Sequence, residues 1–488
     1  MKAPASGARV RMYRQGQGDC FLIAFPRQGA NENNPVYLLI DCGIMNGSEI
    51  KEDVGLEEVI DHIHDATGGK IDYVAVTHEH ADHVNGFNKK RDHVLMWDAF
   101  EPIGQLWLAW TEDGEDDFAN QLRRDFGDTL VALAMAEERM RDLEEVADER
   151  QVVSQLLSLE RDDVEDRDTL RKAGEVGLGT FAIDGITNKR AIKFLREKAE
   201  QGARFLRPGQ PAFEIGGTDG ALVYVMGPPR DKELLLSLDP RGDEEFHATG
   251  SLRLTDDFSG FQAVFGSGGV SGRHSPFAPR YATSIEDVKA KTEEEVAEGW
   301  KSEDADTEAR VYAARTYEGI AARRDEAWRR IDGQWLAMSE RMALRMNDEV
   351  NNTSLVLAFE LPQTGKVLLF TGDAQRGNWM SWSDLTWDRP DGQTVEAKEL
   401  LSRCVFYKCG HHGSHNATLN GDVDSDYANL SWLGTHAPRD EFVAMVPVHS
   451  DWARTEKRWN HPLPAIEDAL KNKARGRVFL NDVERVRR

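Results

Sequence analysis

The run His78-Glu79-His80-Ala81-Asp82-His83 places three imidazoles and one carboxylate directly after the apolar segment Tyr73-Val74-Ala75-Val76. An apolar, β-branched segment of this length reads as a buried strand, so the run begins where the strand ends. Imidazole nitrogens and carboxylate oxygens are good ligands for zinc and similar cations. One such loop can serve two metals, because side chains two positions apart diverge while their neighbours face another way. The competing reading, a solvated histidine-rich surface loop, loses weight if further ligands stand at other strand ends.

Several do. Asp41 closes the apolar run Leu38-Leu39-Ile40, where its carboxylate could accept a hydrogen bond from a ligand imidazole and fix its tautomer. Asp373 follows Leu368-Leu369-Phe370 and could bridge two cations. His411 and His412 follow the apolar segment 404–407, and His411 is preferred as the ligand because it is nearer the strand end.

The β-type segments 10–13, 20–25, 36–40 and 73–76, with a helix from 56 to 64, are matched late in the chain by 354–361, 366–370, 404–407 and 442–448. Between them the chain is charged and helical in period over 114–202 and 285–346, with a glycine-rich loop at 265–272. The expectation is one α/β domain built from 1–110, 203–230 and 350–488. A helical insertion at 111–202 and a second, loop then helical, at 231–349 interrupt it.

The chain has 488 residues, too many for one compact domain of ordinary size. Its 60 Lys and Arg against 85 Asp and Glu leave a net charge of −25, which argues against global attraction to nucleic acid or an anionic membrane. Bound cations could still accept a phosphodiester. No apolar run approaches the roughly 20 residues that span a bilayer, so no membrane partner is expected and the protein reads as cytoplasmic. Cys20, Cys42, Cys404 and Cys409 lack paired short spacings and read as reduced thiols, most of them buried in strands.

The histidine run resembles the signature of the metallo-β-lactamase superfamily. Gly16-Gln17-Gly18-Asp19, Leu39-Ile40-Asp41-Cys42-Gly43, Asn351-Asn352-Thr353-Ser354, Thr371-Gly372-Asp373, His411-His412-Gly413-Ser414 and Asn460-His461-Pro462 are similar to the hydrolase domain of the competence protein ComEC. The resemblance implies an αβ/βα sandwich. It implies that His78 and His80 bind one metal, that Asp82, His83 and one of His411 and His412 bind another, and that Asp373 bridges them. Zinc is the expected ion, one or two per chain, with manganese as the alternative.

The implied activity is phosphodiester or nucleic-acid hydrolysis by a metal-bound hydroxide oriented by Asp82. His415, or the unused member of the histidine pair, would protonate the leaving group, while Ser414, Asn416 and Lys408 would contact substrate. Two alternatives stand: hydrolysis of a lactone, thioester or other acyl substrate, and a partner-binding protein with a structural metal site that uses the helical insertions. One departure from the superfamily is visible: the segment 221–226 runs into Gly227-Pro228-Pro229 without the histidine usual there. His247 and His274 are the candidate substitutes.

Overall fold

The computed structural model describes residues 1–29, 32–50, 54–141, 147–160, 166, 169–170, 172, 186–246, 334–437 and 440–482. His247, His274 and the glycine-rich segment at 265–272 lie outside the described residues.

Two sheets form the centre. The first contains β1 (Arg9–Met12), β2 (Cys20–Phe25), β3 (Val36–Cys42), β4 (Tyr73–Ala75), β5 (Gln105–Ala109) and β6 (Ala203–Leu206), in that spatial order. Its first three strands pair antiparallel and the rest parallel. The second contains β7 (Phe213–Glu214), β8 (Leu222–Gly227), β9 (Val356–Glu360), β10 (Val367–Phe370), β11 (Cys404–Lys408), β12 (Val443–Val446) and β13 (Val478–Leu480), again in spatial order. It too turns from antiparallel to parallel, between β10 and β11. The central strands β2, β3, β8, β9 and β10 are buried along their whole length, as expected where both faces are covered.

Helices occupy Leu56–Thr67 (α1), Ala81–Val84 (α2), Asp117–Arg141 (α3), Ala147–Leu157 (α4), Thr187–Lys198 (α5), Gln334–Asn351 (α6), Arg376–Trp382 (α7), Ala397–Ser402 (α8) and Pro464–Lys473 (α9). The facing sides of the two sheets share one core, in which Phe21, Ile23 and Ile40 meet Val223, Leu357 and Phe370. On the outer face of the first sheet, Leu22, Leu39 and Leu106 pack against Val59 and Ile63 of α1 and Ile192 and Leu195 of α5. On the outer face of the second, Tyr224, Leu369 and Ala444 pack against Trp379 and Trp382 of α7, Leu400 of α8 and Ile466 of α9. The layers are therefore αβ/βα.

Local chemistry explains the elements. In α1 the buried residues Leu56, Val59, Ile60 and Ile63 recur at helical spacing and form one apolar stripe. Gly68, at φ 67°, ends the helix in the left-handed conformation that costs glycine least.

One expected boundary differs. The region 111–202 was read as one insertion, yet α5 inserts Ala191, Ile192 and Leu195 into the core of the first sheet. Its frequent Lys and Arg hide that stripe from a composition reading. Helices α3, α4 and α6 instead form a separate cluster around Leu133, Met140, Leu156 and Met346, so parts of both insertions join. All four cysteines are buried and unpaired, and among the described residues no helix is long and apolar enough to cross a membrane.

Candidate metal centre

The C-terminal ends of parallel strands meet along one edge of the sandwich, where α/β sheets commonly hold their sites. Asp41, near the end of β3, has φ 55°. Its Oδ1 accepts the Thr77 backbone N–H at 2.8 Å, and its Oδ2 accepts the Thr77 hydroxyl at 2.7 Å and the His83 Nδ1–H at 2.8 Å. Strand ends β3 and β4 are thereby locked together with the third histidine of the motif. Gly43 permits the approach: a Cβ there would stand 2.2 Å from the Asp82 carbonyl carbon and 2.4 Å from the His83 nitrogen.

Asp82, His83, Asp373 and His412 are all buried and bring ligand atoms within 4.8 Å of one another. The outer nitrogen of each imidazole is already committed, His83 Nδ1 to Asp41 and His412 Nδ1 to the Pro447 carbonyl at 2.7 Å. The inner Nε2 atoms are thus left as lone pairs in the neutral rings. They face carboxylate oxygens: His412 Nε2 is 2.9 Å from Asp82 Oδ2, and His83 Nε2 is 3.2 Å from Asp373 Oδ2. Asp82 Oδ1 is buried with no hydrogen-bond partner. Lone pairs so arranged require a proton or a cation among them, and two imidazoles with two carboxylates suit a zinc-like ion.

Asp373 presents one oxygen to this centre. Its Oδ1 accepts from Lys408 Nζ at 3.3 Å and from the His411 backbone N–H at 3.1 Å, which leaves Oδ2 facing His83 and, at 3.6 Å, His412. Burial raises the Asp373 pKa, but His83, His412 and Lys408 outweigh it and hold the carboxyl well below its ordinary range. Burial likewise disfavours charge on His83, while Asp373, Asp19, Asp82 and Asp41 together raise its pKa well above that of a free imidazole.

His78 and His80 form the other half. His78 Nε2 and His80 Nδ1 face each other at 3.0 Å, and His78 Nδ1 lies 3.2 Å from Thr77 Oγ1 and 3.3 Å from Ser354 Oγ. Strand β8 ends at Gly227, with no histidine following it.

Several side chains lie elsewhere than expected. The preference for His411 over His412 reverses: His412 turns its ring inward, while His411 gives its backbone N–H to Asp373. Both residues have positive φ, 41° and 51°, and this left-handed turn carries the second ring to the centre. Burial pushes the His411 pKa down to about 4, and its ring sits between Asn416 Oδ1 and Asn351 Nδ2, each at 3.2 Å.

Lys408 is not available to a substrate phosphate. It is 1% exposed, and its ammonium is held by Asp19 at 2.5 Å, the Gly372 carbonyl at 2.7 Å and Asp373. His415 faces Asp239 at 3.0 Å, Ser414 Oγ lies against His415 Nδ1 at 3.4 Å, and Asn416 is occupied with His411. Asp19, Asn351, Ser354 and His461 were assigned no role from sequence, yet all adjoin the centre. His461 is the most suggestive: its ring centroid is 5.6 Å from His411 and 6.5 Å from His412, and its Nδ1 is buried without a partner.

A polar line extends outward from His411 through Asn416 to Asp348, which also accepts from Gln375 Nε2 at 2.6 Å. Burial raises the Asp348 pKa from 3.8 to about 6, a shift that hydrogen bonds from Gln375 and Asn416 oppose. A folded-state pKa above the unfolded one gives stability that is full below the unfolded value and lost as pH rises through the folded value. Metal-free wild-type protein should lose this contribution between about pH 4 and pH 6. Asp348→Asn should flatten that part of the profile, as read by urea unfolding at pH 4.5 and 7; an unchanged slope would contradict it.

Fold and site together give an αβ/βα sandwich with a candidate metal centre at the strand ends. The family model described as the metallo-beta-lactamase superfamily matches residues 13–93, which include β2, β3, β4 and the whole histidine run. No curated protein matches the chain.

Proposed function

We propose that the chain is a metal-dependent phosphodiesterase, acting on a nucleic acid or a smaller phosphodiester, with zinc as the preferred ion and manganese as the alternative. The observation that carries metal-dependent hydrolysis is the convergence of Asp82, His83, Asp373 and His412, with the two imidazoles held by Asp41 and Pro447 so that their Nε2 lone pairs face inward. Phosphodiester as substrate is supported by the similarity of the Asp373 and His411-His412-Gly413-Ser414 segments to the ComEC hydrolase domain.

In this reading Asp82, His83 and His412 would hold one cation and His78 and His80 a second, with Asp373 shared by both. Bound cations supply an activated water and polarise the scissile oxygen. Asp82 Oδ1, which has no other partner, orients the attacking water. His461, whose ring packs against Trp459 at 5.5 Å, is a closer candidate than His415 for the hydrogen bond to the leaving oxygen.

An acyl substrate is the second reading, and one feature favours it. A cavity of about 400 Å³ lined by Glu79 of the metal loop has an apolar wall of Leu122, Phe126, Leu235, Leu236 and Val350, with Glu112, Arg123, Lys232, Arg345 and Glu349 also on its lining. Assays of zinc- or manganese-loaded protein with bis(p-nitrophenyl) phosphate, single-stranded DNA and a p-nitrophenyl ester separate the two. Phosphodiester cleavage should disappear with chelator and fall at least about a thousandfold in Asp82→Asn, since metal activation of water supplies several kcal/mol. Ester turnover alone would replace the phosphodiesterase reading with the acyl one. Turnover of none of them would favour a structural metal site in a partner-binding protein.

A further inference from the structure

The turn after α4 belongs to the first helical insertion, yet it lies against the metal loop. The Ala81 backbone N–H, at the start of α2, donates to the Leu159 carbonyl at 2.7 Å. Asn188 Nδ2 donates to the same carbonyl at 2.7 Å, and the Glu160 N–H donates back to Leu157 at 3.1 Å. Leu159 itself is 6% exposed and packs with Met45, Trp452 and Ala453. On the other side of the loop, Glu79 pairs with Lys189 of α5. The motif is therefore gripped on two sides by residues that an insertion and its flanking helix provide.

Glu160, at the end of this turn, is 1% exposed, and its Oε1 is 2.8 Å from His80 Nε2. The two atoms are not aligned as a hydrogen bond, but a carboxylate oxygen this close favours the His80 tautomer with its proton on Nε2, which leaves Nδ1 as a lone pair. That lone pair faces His78 Nε2 at 3.0 Å. On the far side of His78, the Thr77 hydroxyl donates to Asp41 and is left to accept from His78 Nδ1. His78 Nδ1 also lies 3.3 Å from the Ser354 hydroxyl; in the tautomer that gives Nδ1–H to Thr77 Oγ1, the one a metal ligand needs, His78 Nε2 is a lone pair too. Two lone pairs facing at this distance repel, and a cation held by both nitrogens would relieve that repulsion.

We propose that Glu160 is a positioning residue for the metal centre: its carboxylate, 2.8 Å from His80 Nε2, favours the tautomer whose Nδ1 lone pair faces His78 and sustains a cation site that lacks the usual histidine after β8. The inference rests on the metal-dependent reading of the domain. It assigns the first insertion a part in building the site. Partners of this kind around a metal-bound histidine commonly carry about 10–100-fold in metal affinity.

The test uses the full chain and zinc itself. Metal-free wild-type, Glu160→Gln and Glu160→Ala proteins are titrated with zinc against a chromophoric chelator, and bound metal is counted by elemental analysis. The Ala variant should lose about 10–100-fold in affinity for one ion and keep wild-type affinity for the other. The Gln variant, which keeps an acceptor oxygen beside Nε2, should recover most of that loss. Metal-free unfolding curves show whether each variant folds, and Glu160→Met takes the place of Ala if Ala does not. Wild-type affinity for both ions in the Ala or Met variant would overturn the proposal, as would a Gln variant that falls as far as Ala. Failure of the wild-type protein to bind zinc would instead overturn the metal-dependent reading itself.

Discussion

Asp373→Ala is expected to abolish turnover and to release metal with it. The Oδ2 of this carboxylate is the shared neighbour of His83 Nε2 and His412 Nε2, at 3.2 and 3.6 Å. Its Oδ1 is tied to Lys408 and to the His411 backbone, so no second oxygen swings in to compensate. Removing it leaves two imidazoles facing a site with less negative charge and raises the cost of placing a divalent cation there. A loss of turnover of at least about a thousandfold is the scale expected when metal activation of water fails. Asp373→Asn keeps the shape without the charge and should show the same loss of metal, which assigns the effect to charge. Retention of full metal stoichiometry in both variants would contradict the central position of Asp373.

Lys408→Met should have the largest effect on the metal-free fold. The ammonium is 1% exposed and lies between Asp19, at 2.5 Å, and Asp373. Burial already raises the Asp19 pKa to about 6, against the pull of Lys408 and His83. Removing one partner of a buried ion pair leaves an uncompensated charge and costs about 3–5 kcal/mol. A divalent cation bound nearby would offset part of that cost, so zinc should raise the melting temperature of the variant by more than that of the wild type. Metal-free denaturant unfolding reads the first effect and a zinc-dependent melt the second. A variant as stable as wild type without metal would show that Lys408 does not neutralise the centre.

The sequence makes the scaffold and the motif legible for a shared physical reason. Strands buried on both faces, such as Val36–Cys42 and Val367–Phe370, are near-continuous apolar runs, and the polar residues that interrupt such runs at their ends stand out. Asp41, Asp373 and the His78 to His83 run were visible in that way. The choice between His411 and His412 was not, because it depends on two successive residues adopting positive φ. Nearness to the strand end is no guide once the backbone turns left-handed.

Lys408 was misplaced for a related reason. As the last residue of an apolar strand it could as well face solvent as the interior, and only the register of β11 against β10 and β12 turns it toward Asp19. Glu160 left no signal at all. It is one carboxylate in a segment dense with charge, and its relation to His80 exists only because the Leu157 to Glu160 turn docks on Ala81. The helix Thr187–Lys198 was masked in the same way by its Lys and Arg content.

The central claim is that cations bind where these side chains converge. Elemental analysis of the full chain, purified without chelator and again after stripping and reloading with zinc, tests it most directly. About two ions per chain are predicted, as in binuclear hydrolases of this type, and they should be removed by chelator and lost together in Asp373→Ala. A protein that takes up no stoichiometric divalent metal after reloading would contradict the account.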